Sequence, residues 1–271
     1  MSPRRHLPLV IGHRGFNARF PENTLLSFRN AFSAGADGVE CDVQKTADGR
    51  YVVIHDGTVD RVSSSRGPVN AMTFAQVRRV DAGRGERIPA LEEVLDALPR
   101  GAWIDVELKT ETLDPEDCAR IGDILDARVR RRRLMVSSFE PRLLKPMRTR
   151  GFTVGLLLGE DARSRGALRI AREVLSLRPQ YLNLPIQVMK LFGRRKARLF
   201  LQFLRLLGFS LLFWTVNDLA GARLVARYAG MIVSDQVELM VRSLKGPGTV
   251  PRAQPPRIPP RKEARRSSRS R

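Results

Sequence analysis

Short runs of apolar and β-branched residues alternate along this chain with longer stretches whose apolar positions recur every three to four residues. The runs Leu9–His13, Gly38–Gln44, Trp103–Lys109, Leu134–Phe139, Thr153–Leu158, Tyr181–Leu184, Leu211–Val216 and Met231–Asp235 predict eight strands. Segments of helical spacing lie between most of them: Leu25–Ser33, Leu91–Leu98, Pro115–Ala127, Pro141–Arg150, Ala167–Leu177, Arg195–Leu207 and Leu219–Tyr228. Such alternation implies parallel strands with right-handed crossovers. Eight units point to a closed (β/α)8 TIM barrel, an α/β fold, more than to an open sheet.

One run breaks the alternation. Tyr51–His55 follows Gly38–Gln44 too soon for a parallel crossover, so it is predicted to return as an antiparallel β-hairpin extending strand 2. Asp48-Gly49 is the favoured two-residue turn. It would pair Ala47 with Arg50 and set Asp42 opposite His55. Residues 57–90 hold no clear strand and are predicted to be a short insertion with one helix near Thr73–Val80. The barrel domain is expected over residues 1–244. From Lys245 to Arg271 the composition turns to Pro, Arg and Ser, which cannot bury enough surface to offset chain entropy, so a disordered basic tail is expected.

Strand parity sorts the charged residues. In Gly38–Val43, Glu40 and Asp42 share one face and Val39, Cys41 and Val43 the other. With the apolar set toward the helices, the two acids face the barrel interior near its C-terminal mouth, where active sites of such barrels lie. Adjacent carboxylates call for a cation between them, either a neighbouring Arg or Lys or a bound metal. In Trp103–Lys109 the inward row is Asp105, Glu107 and Lys109. Glu107 would complete a three-carboxylate site with Glu40 and Asp42, and all-oxygen donors favour Mg2+ or Ca2+. Asp105 lies deeper, is expected in an internal ion pair with a lysine, and is left out of the site.

Three histidines are present. His6 sits among arginines and is expected to be exposed, whereas His13 and His55 each end a predicted strand beside the acidic one. Two groups titrating near neutrality can serve as acid and base in one turnover. Arg14 and Lys109 can neutralise phosphate oxygens. Metal-binding carboxylates, phosphate-binding cations and two proton carriers together describe phosphodiester cleavage.

Composition narrows the setting. The net charge is +20 over 271 residues, with nine basic residues and one acid from Lys245 onward. A chain this basic is drawn to anionic partners. No aromatics interleave the basic tail, so specific nucleic-acid binding is not expected. Cys41 and Cys118 are far apart and in no metal-like spacing, and no apolar leader precedes the first strand. A cytoplasmic location is the expectation. The segment Leu184–Arg198 is both apolar and basic, which suggests peripheral contact with an anionic membrane. No Gly-x-Ser-x-Gly elbow, dinucleotide fingerprint or Walker loop is present.

These motifs, in order, resemble those of the glycerophosphodiester phosphodiesterase family: His13-Arg14-Gly15, Pro21-Glu22-Asn23-Thr24, Glu40-Cys41-Asp42-Val43, His55-Asp56, Asp60-Arg61, Ile88 to Glu93, Glu107-Leu108-Lys109, Ser137-Ser138-Phe139, Trp214 to Asn217 and Ile232 to Asp235. The resemblance runs from about Val10 to Leu239. It implies a TIM barrel that cleaves glycerophosphodiesters to glycerol 3-phosphate and an alcohol. It implies one divalent cation on Glu40, Asp42 and Glu107, acid–base catalysis by His13 and His55, phosphate binding by Arg14 and Lys109, and bracing of the first loop by Glu22 and Asn23. Two departures stand out. The insertion is short, with Arg61-Val62-Ser63 where members carry Arg-Thr-Thr, and Gln236-Val237 follows the last strand where a proline is usual. The short insertion bears on headgroup preference, and a lysophospholipase D acting at a membrane is the alternative reading.

Overall fold

Eight parallel strands close into a ring: β1 (Leu9–Gly12), β2 (Gly38–Lys45), β4 (Trp103–Leu108), β5 (Leu134–Ser138), β6 (Val154–Leu157), β7 (Tyr181–Pro185), β8 (Ser210–Trp214) and β9 (Met231–Ser234), with β3 (Tyr51–Val53) antiparallel to β2. Pairing of Ile11 with Gly38 and Gly12 with Val39 closes the ring. The computed structural model describes residues 7–159, 165–187, 189 and 193–246. His6, Val188 and Lys190 to Phe192 of the apolar-basic segment, and residues 247–271 of the expected tail lie outside the described residues.

Helices on the outside are α1 (Leu25–Ser33), α2 (Phe74–Val77), α3 (Leu91–Asp96), α4 (Asp117–Arg128), α5 (Pro141–Thr149), α6 (Ala167–Leu177), α7 (Gly193–Leu206), α8 (Leu219–Val225) and α9 (Val237–Lys245). Their starts follow local chemistry. The side chains of Thr24, Thr73 and Asp218 accept hydrogen bonds from backbone N–H groups one turn on, and α5 opens on Pro141, whose missing N–H is no loss there. The helix α9 has no counterpart in the periodicity reading. Val237, Met240 and Val241 are its buried stripe, and Lys245 ends it with Nζ 2.6 Å from Asp37 Oδ2.

Three apolar clusters divide the work. The largest lies between barrel and helices and takes Val39, Cys41, Val43, Ile104, Val106 and Leu108, the outward faces that parity assigned. A second fills the lower barrel with Ile11, Met135, Leu212, Met231 and Val233. The third unites the insertion with β3 through Val52, Ile54, Val59, Val69, Val77, Val80 and Ile88. Residues 57–90 thus form a small cap with its own core, which contains the short α2.

The hairpin register differs from the expected one. Thr46 N donates to Arg50 O at 2.9 Å and Val43 pairs with Val53, so the turn holds three residues, not two. Gly49 at φ 75° supplies the left-handed residue of that turn. Asp48 fixes it by accepting from Thr46 Oγ1 (2.6 Å) and Phe74 N (2.9 Å). Asp42 therefore faces Ile54, whose N donates to Asp42 O at 2.9 Å, and not His55. His55 reaches the mouth through the bend after β3, where Gln44 Nε2 holds its carbonyl at 3.0 Å.

Candidate active site

The inward rows of β2 and β4 lie in register, with Glu40 beside Asp105 and Asp42 beside Glu107. Glu40, Asp42 and Glu107 each offer a carboxylate oxygen within 4.8 Å of the others. Burying three acids together is costly unless cations or donors meet them. Lys109 Nζ lies 2.7 Å from Glu107 Oε1 and 3.1 Å from Asp42 Oδ1. Arg14 Nε lies 3.4 Å from Asp42 Oδ2, and Asn23 Nδ2 donates to that oxygen at 2.8 Å. The backbone N of Arg14 donates to Glu40 Oε2 at 2.9 Å.

The loop after β1 makes these contacts at a conformational cost. Arg14 and Asn23 sit at φ 51° and 56°, a left-handed region that costs an arginine about 1 kcal/mol or more. Gly12, the residue before His13, has no room for a side chain, since a Cβ there would lie 2.5 Å from Gly15 O. Arg84 and Arg178, away from the acids, share that left-handed region at φ 56° and 48°.

Compensation is uneven. Burial pushes Glu40 above the ordinary carboxylate range, and the charges of Asp42 and Glu107 push it further. Burial likewise raises Glu107 despite Lys109. Burial acts upward on Asp42 too, but Lys109, Arg14, His55 and Asn23 together outweigh it and hold it at about 2. Burial pulls Lys109 down, yet Asp42 and Glu107 more than reverse this, so its ammonium is firmly charged. Buried Glu40 Oε1 has no hydrogen-bond partner. An acid held from ionising by burial and by like charges, with an orphaned oxygen, in an all-oxygen cluster, fits the donor chemistry of a hard divalent cation.

Each histidine is held in the same way. His13 Nδ1 lies 2.6 Å from Asp235 Oδ1, and Asp235 is fixed by Asn217, whose Nδ2 donates to Oδ2 at 2.6 Å and whose Oδ1 accepts from the Asp235 N at 2.9 Å. His55 Nδ1 lies 2.6 Å from Asp56 Oδ1. Arg61 donates Nε to Asp56 Oδ2 at 2.6 Å and both Nη groups to Glu22 at 2.8 Å. Glu22 in turn accepts from Arg14 Nη1 at 3.0 Å. A carboxylate accepts only, so each Nδ1 carries a proton, which leaves Nε2 of each ring as the atom that can exchange a proton with a ligand. Burial holds His55 below the ordinary histidine range, with Lys109 and Arg14 adding to it and Asp42 opposing.

Both histidines, Arg14, Glu40, Glu107 and Lys109 line one cavity of about 170 Å3. Its other wall is apolar: Phe139, Leu157, Leu212 and Trp214, with the Phe139 and Trp214 rings edge to face at 5.8 Å. The arrangement presents charge and proton carriers to one half of a ligand and hydrocarbon to the other.

The sequence model of the glycerophosphoryl diester phosphodiesterase family matches residues 13–239. The chain belongs to that family. Family membership makes it an enzyme, a phosphodiesterase. A glycerophosphodiester phosphodiesterase of Caldanaerobacter subterraneus subsp. tengcongensis is 30% identical over 252 residues, 89% of this chain and 99% of that one. The crystal structure of the Thermotoga maritima glycerophosphodiester phosphodiesterase has a TM-score of 0.75 at 31% identity, over 88% of this chain and 98% of that one. An Oleispira antarctica phosphodiesterase, solved with the product sn-glycerol-3-phosphate, has a TM-score of 0.77 at 25% identity, over 88% and 97%.

Within this member of the family, all nine residues singled out from the sequence converge. Glu22 and Asn23 do more than brace a loop: one bridges Arg14 to Arg61, and the other donates to Asp42. The lysine partner expected for Asp105 is taken by Glu107 and Asp42 instead. Asp105 lines the cavity, and burial pushes its carboxyl up to about 8, with Ser137 as its hydrogen-bond partner. The partners of the histidines, Asp235, Asn217, Asp56 and Arg61, all lie in motifs, but strand parity gave them no role.

Proposed function

We propose that the chain hydrolyses glycerophosphodiesters to glycerol 3-phosphate and an alcohol by acid–base catalysis at His13 and His55, with a divalent cation, Mg2+ or Ca2+, held by Glu40, Asp42 and Glu107. The observation that carries this reading is two histidines, each with Nδ1 committed to a carboxylate, on the wall of the cavity that Glu40 and Glu107 also line, with Asp42 clustered against those two acids. When bound, the cation supplies charge stabilisation to the phosphoryl oxygens. Arg14 and Lys109 hold the phosphate by charge-assisted hydrogen bonds. His55 enters neutral because burial keeps it so, and it accepts the proton of the attacking oxygen. His13, steadied by Asp235, gives a proton to the departing alkoxide. Asp42, held ionised, keeps Lys109 in place between the acids.

A second reading is cleavage of lysophospholipids in the manner of a lysophospholipase D, and the apolar wall of Phe139, Leu157, Leu212 and Trp214 favours it. Turnover of glycerophosphocholine and of lysophosphatidylcholine by wild type and His55→Gln tests both. Loss of glycerophosphocholine cleavage in the variant supports the first reading. Turnover confined to the lysolipid moves the substrate to the second, and equal activity in the variant removes His55 from the chemistry.

A further inference from the structure

The helix α7 is apolar on two opposite faces. Ala197, Leu201 and Leu204 are buried against the barrel, which is the one apolar stripe a surface helix needs. The opposite face carries Leu199, Phe203 and Leu206, with Leu207 just past the helix end, all exposed between 56% (Phe203) and 85% (Leu206). At 100° per residue, positions 199, 203 and 206 fall within one narrow stripe. The preceding helix, α6, repeats the pattern. Leu177 is its buried residue, while Leu168 and Leu175, two turns apart on its far side, are 67% and 71% exposed. Consecutive crossover helices neighbour each other around a barrel, so the two stripes belong to one side of the molecule.

The charged residues of α7 have a single sign. Between Gly193 and Leu206 the sequence carries Arg194, Arg195, Lys196, Arg198 and Arg205 and no acid. Arg195, Lys196, Arg198 and Arg205 are exposed. Scattered exposed leucines need no explanation, but a contiguous apolar stripe ringed by cations does. A helix with bulky apolar residues toward solvent, flanked by Lys and Arg and by no acid, suits the interface of an anionic bilayer, where hydrocarbon and negative headgroup are met together.

We propose that the outer face of α7, extended by Leu168 and Leu175 of α6, docks on an anionic lipid bilayer. Charge complementarity selects this occupant over a second copy of the chain. A two-fold contact through this face would oppose the same cations of both copies. The basic segment that follows Lys245 carries the same sign and is repelled as well. The surface lies outside the catalytic residues, and its occupancy is independent of the reaction assigned above.

Co-sedimentation of the full chain with vesicles tests the proposal. The vesicles are phosphatidylcholine alone, and phosphatidylcholine mixed with an equal amount of phosphatidylglycerol. The variant is Leu199→Ser/Phe203→Ser/Leu206→Ser, at positions exposed enough for the fold to be retained. Unchanged glycerophosphocholine turnover and melting temperature serve as the check on folding. Wild type should bind the phosphatidylglycerol vesicles, and the triple variant should lose roughly 100-fold in partition coefficient. Arg195→Gln/Lys196→Gln should flatten the salt dependence. Equal binding by the triple variant, no binding by wild type, or a lipid-free dimer that the triple variant breaks would each overturn the proposal.

Discussion

Replacing Asp235 with Asn changes one oxygen for a nitrogen at the group that orients His13. The His13–Asp235 contact is 2.6 Å, and Asp235 is fixed from behind by two hydrogen bonds to Asn217. The variant side chain fits the same space, so the fold and KM should hold. Two things are lost. A hydrogen bond to a charged partner is worth about 1.5–3 kcal/mol, or about 10- to 150-fold in rate if it acts in the transition state. The amide also offers either an oxygen or an NH2 to Nδ1, and an NH2 there moves the imidazole proton to Nε2, the wrong tautomer. Loss of a comparable carboxylate in a serine protease triad costs about 10^4, which sets the ceiling. The expected result is a fall of about 100-fold in kcat with KM nearly unchanged. The assay is steady-state cleavage of glycerophosphocholine across pH, with melting temperature as the control. A variant within twofold of wild type in kcat would refute the assignment of Asp235 as the positioning residue for His13.

Further outcomes follow from the same geometry. Arg61→Met leaves Asp56 charged but no longer neutralised, which stabilises the His55 imidazolium and raises its pKa, so the acid limb of kcat/KM should move to higher pH; a limb that stays or moves down contradicts the network. In metal-free protein Asp105 titrates near 8 when folded and about 4 when unfolded, so the fold binds the extra proton and stability falls as pH rises between those values. Asp105→Asn should flatten that fall, measured as melting temperature against pH in chelator. Phe152, fully buried on the outer side of the barrel, should cost about 3–5 kcal/mol when cut to Ala, read by urea unfolding at unchanged kcat. Gly12→Ala forces a Cβ against Gly15 O and should lower both stability and kcat, because the same loop carries His13 and Arg14.

Parity along β2 and β4 placed the inner acids from the sequence because a strand buried on its outer face has one way to point. Val39, Cys41 and Val43 left Glu40 and Asp42 no alternative, and the ladder then brought Glu107 beside Asp42. Where position depends on a turn rather than a ladder, the reading failed. Asp48-Gly49 fits a two-residue turn, but Thr46 and Phe74 both bind Asp48 and lengthen it by one residue. The partners of the histidines were out of reach for a different reason. Asp235 and His13 are far apart in the chain and meet only because β9 pairs with β1, where Ser234 lies beside Gly12. Arg61 joins Glu22 to Asp56 across a loop that no periodicity describes. The exposed stripe of α7 was hidden because its Leu and Phe residues read equally well as core until the buried face was known.

The most direct test of the central claim is release of glycerol 3-phosphate from glycerophosphocholine by wild type and His13→Ala, each with Mg2+, with Ca2+ and with chelator. The account predicts release that requires one of the two metals and is lost in the variant. Release by wild type in chelator, or by His13→Ala at the wild-type rate, would contradict it.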